Sequence, residues 1–575
     1  MKEDQRNIVI FAVLAALVLI GWPMVTSKLF PAANPPVTQV VDGKSVPLPQ
    51  PTAAPTAATP KAMRDRDLVL GESQGQRVKI DTPALHGSIN LKGARIDDLE
   101  LKKYAETVAK DSKPIRLLSP AGAAGAYYAQ FGWQGQGIQV PGDDTVWQAS
   151  GTTLTATTPV TLTTRNATGQ IFTLLLSVDE NYMFTIRQTV GNTGAAPIMV
   201  SPYDSLTRAE KSTDLDQWTA NVGPMAVSGG AAKYINYSDI DTAPEQFSTT
   251  GGWVGFTDHY WLTALAPDQS GPVTLNQRQG ADKAYVAEYN LPQGISIQPG
   301  KQASYTSRFF AGAKEVKILD QYEDKLGISK FGYAIDWGWF GLIEQPIFYY
   351  LDWLWKLVGN FGVAIMLLTV TIRGLLFPIA QKQFASMANM RAIQPKMKAL
   401  QERYKDDKQR QQQEIMKLYK EEKVNPLAGC LPLLLQIPIM FALYKVLLLT
   451  IEMRHQPFIF WVKDLSAHDP ATILNLFGYL PFTPPGFLAI GVFPVLLGIS
   501  MFFQMKLNPA PMDEMQKQIF AIMPWMLMFV MAPFAVGLQL YWITSNCITI
   551  LQQQWLYSKH PALKVAVPKK DAGVK

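Results

Sequence analysis

The placement of its apolar tracts constrains this 575-residue chain more than any other feature. Such runs occur at Leu357–Phe377, Leu427–Thr450, Phe487–Met505 and Ile519–Leu556, and another, Ile8–Val25, stands near the start. Runs of about 20 apolar residues read as membrane spans rather than as parts of a water-soluble core. Ile519–Leu556 is too long for one span, and Pro524, Pro533 and Gly537 split it near Ala532–Gly537. Six spans result. The net charge of +6 is unevenly placed. Residues 28–340 are near neutral, whereas Gln381–Val424 holds eleven Lys/Arg against six Asp/Glu, and the tail after Tyr557 is also basic. Positive flanks mark the cytosolic side. With the N-terminus in the cytosol, residues 28–340 lie outside, and Gln381–Val424, the Lys506–Lys517 loop and the tail lie inside.

Within Leu357–Phe377 sits one cation, Arg373. A guanidinium at membrane depth costs roughly 2.5–3.5 kcal/mol on insertion scales, so it normally faces a wet cavity. The first clearly cytosolic charge is Lys382, nine residues on, which places Arg373 roughly 13 Å inside that boundary. Snorkelling spans part of this depth; the sharper reading is a charge in a water-filled recess open to the cytoplasm. Thr369, four residues earlier, shares its helix face. Gln436 is the lone amide in Leu427–Thr450, and Gln539, Thr544, Ser545 and Asn546 add polar groups to the last span. Each also has a plain reading as interhelical hydrogen-bonding glue.

The first tract, longer than a signal-peptide core, reads as an uncleaved anchor over residues 1–27; a cleaved signal peptide with Pro31-Ala32-Ala33 near the cut is the alternative. Residues 28–63, with PTAAPTAATP inside, form a semi-extended linker. Its Gly43-Lys44-Ser45 imitates the end of a phosphate loop, but Thr38 stands where the partner glycine belongs, so no nucleotide site is expected. From 64 to 330 the pattern is β: Gln76–Ile80, Thr152–Thr164, Gln170–Val178 and Tyr182–Val190 alternate or are briefly apolar, with a turn at Asn166–Gly169. A large antiparallel sandwich follows. His86 and His259 stand far apart, no catalytic constellation emerges by spacing, and an enzyme is not expected. Both cysteines, Cys430 and Cys547, read as small buried hydrophobes, and no metal site is expected.

Residues 331–356 concentrate Trp337, Trp339, Phe340, Tyr349, Tyr350, Trp353 and Trp355, a density that points to a surface-lying interfacial helix. In Gln381–Val424, Met387, Met390, Ile393, Met397, Leu400 and Tyr404 recur at helical spacing, Asp406-Asp407 offers a turn, and Ile415, Leu418 and Tyr419 begin a second stripe. A helical hairpin over 381–425 is predicted.

Four stretches now carry a resemblance: LTVTIRGLLFPIAQKQFASMANM (368–390), YKEEKVNPLAGCLPLLLQIPIMFALYKVL (419–447), PFIFWVKDLSAHDP (457–470) and LYWITSNCITILQQQWLY (540–557). They resemble the YidC-type membrane protein insertases, and the anchor, linker and β region look like the long Gram-negative form. The resemblance implies a multi-domain inner-membrane protein with an all-β periplasmic supersandwich and an α-helical transmembrane bundle. Of the six spans, five form a core over 357–558 with a cytoplasmic hairpin, followed by a basic tail, 559–575. It implies an ATP-independent insertase and chaperone with a hydrophilic groove open to cytosol and lipid. The residue of this sequence that matches the groove arginine is Arg373; Thr369, Gln436 and Asn546 would add polar groups to the groove beside it, and Tyr541 and Trp542 would either contact the passing segment or serve as interfacial anchors. No cofactor is implied. The implied partners are nascent membrane proteins, the ribosome, Sec translocon components, the signal recognition particle receptor and membrane lipids, not DNA. Two competing classes remain: a solute transporter using Arg373 as counter-ion, against which no internal repeat is found, and a membrane-anchored sugar-binding or enzymatic β domain.

Overall fold

The computed structural model describes residues 39–41, 44–46, 64–214, 221–280, 282–405, 407–422, 431–472, 474–477, 480, 490–507 and 514–559. The expected anchor, most of the linker, Cys430 and the tail beyond Lys559 lie outside the described residues.

Two large sheets make up the region from Arg77 to Ala313. One has nine strands, in the order Ala231–Tyr234, Gly223–Ser228, Trp253–Thr257, Trp261–Ala266, Gln302–Ala313, Met183–Asn192, Gln170–Val178, Val160–Arg165 and Gln148–Ala149. The other has eleven and is built around the long pair Tyr127–Gln136 and Ile198–Arg208. Gln170–Val178 illustrates why these residues form strands. Phe172, Leu174, Leu176 and Val178 point inward and are buried, while the residues between them are more exposed. At the expected turn, Asn166 Oδ1 accepts from the amides of Thr168 (3.2 Å) and Gln170 (2.8 Å), and Gly169 takes φ +91°. The inner faces meet through aromatic rings. Phe131 packs edge-on to Phe309 at 5.9 Å, and Trp133 sits 5.2 Å from Phe172.

Three expectations need correction. The run Thr152–Thr164 is not one strand: Thr153–Leu154 pairs in parallel with Arg77–Asp81 in one sheet, and Val160–Arg165 joins the other. Between them Thr155 Oγ1 accepts from the amide of Thr158 at 3.1 Å and turns the chain across the sandwich. Of the aromatic residues assigned to an interfacial helix, Phe331 and Trp337 belong to a buried core. Phe331 packs against Trp253 and Phe310, because short 3₁₀ turns at Phe331–Ala334 and Gly338–Phe340 hold this stretch on the sandwich. The helix itself is Gly341–Val358, and it does expose Leu342, Trp353 and Leu357. Cys547 is exposed rather than buried, because it faces an apolar groove between Val492–Leu507 and the last helix.

Beyond the sandwich the chain is helical: Phe361–Leu375, Phe377–Arg403, Lys408–Glu421, Leu431–Leu449, Val492–Leu507, Glu514–Met531 and Val536–Lys559. The long terminal tract does break in two, at 532–535. Among the described residues no single helix is both long and apolar enough to cross a membrane. Phe361–Leu375 and Phe377–Ala385 reach that length only as a pair bent by 59°. Pro378 explains the bend, since it has no N–H to return to the Gly374 carbonyl. Phe377–Arg403 and Lys408–Glu421 pack together through Tyr419, whose hydroxyl lies 3.3 Å from Met397 Sδ, and through Lys396–Glu422 at 2.5 Å.

Among the polar contacts that join the two sheets, one centres on a buried carboxyl. Gln188 Nε2 donates to Asp204 Oδ1 at 2.5 Å, Tyr289 donates to Oδ2 at 2.8 Å, and Asp204 is fully buried. Burial pushes its carboxyl up to about 7, against hydrogen bonds that favour the charged form. An unfolded aspartate titrates near roughly 3.9, so the native domain keeps this proton longer than the unfolded chain does. The resulting stability is complete below about pH 4 and is lost as pH rises through about 7, with a ceiling of roughly 4 kcal/mol. Asp204→Asn should flatten that dependence. Urea unfolding followed by tryptophan fluorescence at pH 4.5 and 7.5 measures it, and an unchanged slope would refute the assignment.

Candidate functional site

The helix Phe361–Leu375 is fixed at its start and carries Arg373 at its end. Asn360 caps it by accepting from the Val363 amide at 3.1 Å, and also donates to the Phe458 carbonyl at 3.1 Å. Gly362 is required beside it, because an added Cβ would stand 2.0 Å from the Phe458 ring. Arg373 lies in the last turn, where the helix dipole favours a cation.

The Arg373 guanidinium reaches two neighbouring helices. Its Nε donates to Ser545 Oγ at 2.9 Å, and Nη2 donates to both Ser545 Oγ and Gln436 Oε1, the latter at 3.1 Å. Gln436 in turn donates through Nε2 to the Tyr541 hydroxyl at 2.8 Å. Tyr541 and Ser545 are one helical turn apart and share a face, so a single stripe of Val536–Lys559 serves both contacts. Arg373 and Gln436 are half-buried, whereas Tyr541 and Ser545 are buried. Every partner is neutral. Among the described residues Arg373 makes no ion pair.

The other expected groove residues are placed differently. Thr369 is fully buried and bonds back to the Ile365 carbonyl of its own helix at 2.7 Å. Asn546 faces another way, donating to Ser500 Oγ at 3.0 Å. Trp542 is half-buried against the apolar core rather than joined to the arginine network. The remaining polar side chains of the last helix act as fasteners. Gln539 donates to the carbonyls of Met531 (2.8 Å) and Phe534 (2.9 Å), and Gln553 donates to that of Leu507 (3.2 Å), each capping the end of a preceding helix. Ser545 is the residue that spacing should have promoted, since it stands four after Tyr541. Among the described residues no cluster of three His, Cys, Asp or Glu could hold a metal ion.

A β-rich domain followed by short helices that meet at a polar, arginine-bearing site divides the chain in two, as in a bacterial inner-membrane protein with a periplasmic domain. Family models agree: "YidC periplasmic domain" matches residues 77–350 and "60Kd inner membrane protein" matches 353–563. The membrane protein insertase YidC of Zymomonas mobilis subsp. mobilis is 46% identical over 564 residues, covering 97% of this chain and 96% of that one. That of Beijerinckia indica subsp. indica is 44% identical over 598 residues, covering 98% and 97%. A crystal structure of an active YidC insertase aligns at 18% identity over 83% of this chain and 92% of that one, with a TM-score of 0.37, too loose for residue-level comparison. The chain belongs to the YidC family of membrane protein insertases.

The geometry separates two of the expected groove positions. In a background lacking both native cysteines, Gln436→Cys should react readily with a membrane-impermeant maleimide added from the cytoplasmic side, and Asn546→Cys, 2% exposed in the parent, should not. Mass shift after timed labelling reads this out. Labelling of Gln436→Cys no faster than that of Asn546→Cys would refute this difference in exposure.

Proposed function

We propose that this protein places nascent inner-membrane proteins in the bilayer by using Arg373 as an uncompensated positive charge in a hydrated recess, without nucleotide. The observation that carries this reading is the neutrality of the arginine's partners. Hydrogen bonds donated to Ser545 and Gln436 orient the guanidinium and offset part of its desolvation, but no carboxylate among the described residues neutralises it. The charge is therefore available to an acidic or polar flank of an incoming segment. The helix Phe361–Leu375 supports the same reading: at 15 residues it spans about 22 Å, short of the roughly 30 Å of a hydrocarbon core. A flank drawn into the recess has only the outer part of the bilayer left to cross. The apolar segment then moves sideways into lipid, driven by its own transfer into hydrocarbon. Tyr541 and Trp542 contact the passing segment in this scheme, with Thr369 and Asn546 supporting the walls.

In this scheme the topology has both termini in the cytoplasm, six spans, and the pair Phe377–Arg403 and Lys408–Glu421 as a cytoplasmic hairpin. The positive flanks and the periplasmic assignment of residues 77–350 favour it. The basic hairpin and tail suit ribosomal RNA or anionic lipid. The Sec translocon and the signal recognition particle receptor are the further partners of this scheme.

Arg373→Ala should lower insertion of a substrate with acidic residues in its translocated flank by about tenfold, equivalent to about 1.4 kcal/mol. A substrate with a neutral flank should be affected less. Arg373→Lys should retain most activity, because it keeps the charge and loses only the forked hydrogen bonds. Protease protection in nucleotide-free proteoliposomes measures both, and undiminished insertion of the acidic substrate by Arg373→Ala would overturn the charge-attraction scheme.

A further inference from the structure

A second polar cavity lies where the β domain meets the first helices of the membrane region. Its volume is about 520 Å³, within the roughly 300–1,000 Å³ usual for small-molecule sites. Its walls come from the end of strand Arg95–Ala105, the start of helix Val316–Leu326, the end of Gly341–Val358, and residues 451–456 after Leu431–Leu449. Trp355 and Phe361 stack within it, with centroids 4.9 Å apart. Leu357, next to Lys356, is 67% exposed, and Trp353 is 55% exposed, so the cavity borders an uncovered apolar helix surface.

The lining charges divide into two sets. Lys103, Lys317, Lys356 and Arg454 supply cations. Lys317 and Lys356 share one carboxylate, Asp352, with Lys356 at 3.1 Å, so the pair keeps a surplus positive charge. Lys103 makes no ion pair among the described residues. Arg454 donates to the backbone carbonyls of Ala105 (2.8 Å) and Glu106 (3.2 Å), which fixes its head without neutralising it. The other lining carboxylates are Glu315, which accepts from the Tyr182 hydroxyl at 2.7 Å, and Glu452. Glu452 Oε1 accepts from the Val316 amide at 3.0 Å, while Oε2 is buried with no hydrogen-bond partner. Burial pushes the Glu452 carboxyl up to about 7, as befits a carboxylate lacking a cation.

A ligand that satisfies both sets carries an anionic phosphate and a primary ammonium a few bonds apart. We propose that this cavity holds the headgroup of a zwitterionic aminophospholipid of the outer leaflet, its phosphate on the Lys103/Lys356/Arg454 side and its ammonium on Glu452 Oε2, with its acyl chains along the Trp353–Leu357 surface. The outer-leaflet location rests on the reading above that Phe361–Leu375 lies in the membrane. A free phosphoethanolamine ester has the same headgroup chemistry, and the apolar border favours the lipid.

Native mass spectrometry of the full-length protein in mild detergent, titrated with phosphatidylethanolamine or phosphatidylglycerol, tests this. One molecule of phosphatidylethanolamine should be retained at least about fivefold more tightly than phosphatidylglycerol, a difference of about 1 kcal/mol. Glu452→Gln should erase that preference. Lys103→Gln with Lys356→Gln, both exposed and safe for folding, should weaken both lipids. Arg373→Ala should leave retention unchanged, which separates this site from the insertion groove. Equal retention of the two lipids by the parent protein would overturn the proposal, as would an undisturbed preference in a folded Glu452→Gln variant. Displacement by soluble glycerophosphoethanolamine at the same concentration as the lipid would assign the cavity to a free phosphoester instead.

Discussion

The arrangement depends on one guanidinium surrounded by neutral acceptors. A hydrogen bond to a charged group contributes about 1.5–3 kcal/mol, and placing arginine at mid-membrane costs roughly 2.5–3.5 kcal/mol or more. Ser545 and Gln436 can therefore offset much of the cost of holding Arg373, but they cannot cancel its charge. A carboxylate in either position would give a tighter pair and a silent one. Serine and glutamine hold the arginine in place and leave its field directed outward. Tyr541 extends the logic by one step: its hydroxyl accepts from the Gln436 amide and so turns the Gln436 carbonyl oxygen toward the cation.

Short, interrupted helices follow from the same requirement. Pro346, Pro378, Pro438 and Pro524 each stand within or at the start of a helix, and each removes a backbone donor where an uninterrupted span would need one. The unpaired carbonyls at helix ends are collected by side chains. Gln539 takes those of Met531 and Phe534, and Gln553 takes that of Leu507. The arginine helix, at 15 residues, is about 22 Å long, shorter than the roughly 30 Å of a hydrocarbon core.

Much of this was readable from residues alone, for reasons of period. Alternation marked Gln170–Val178 because one face of that strand is buried and the other is not. An isolated arginine in an apolar tract marked the site because its alternatives are costly. Identity at adjacent helix positions was harder to read. Ser545 and Asn546 differ by about 100° around the helix, so one meets Arg373 and the other meets Ser500, and composition gives no sign of which. Phe331 and Trp337 look interfacial by type, yet long-range packing on Trp253 and Phe310 buries the first in the sandwich. Thr152–Thr164 reads as one strand because nothing local reveals that its two halves serve different sheets.

The periplasmic domain also reaches the site indirectly. The last carbonyls of Leu431–Leu449 lack partners within the helix, and His259 of the β domain lies 2.7 Å from that of Leu448. A carbonyl can only accept, so the histidine donates from Nε2, and burial keeps the ring neutral by lowering its pKa. Lys445, one turn earlier, donates to the Asp336 carbonyl at 2.6 Å. At its outer end, then, the helix is held by residues outside the bundle, while Gln436, about 18 Å away along the axis, holds the arginine. Pro438 lies between the two, two residues from Gln436. One helix therefore carries contacts to residues outside the bundle near one end and the acceptor of Arg373 toward the other, with a proline between them.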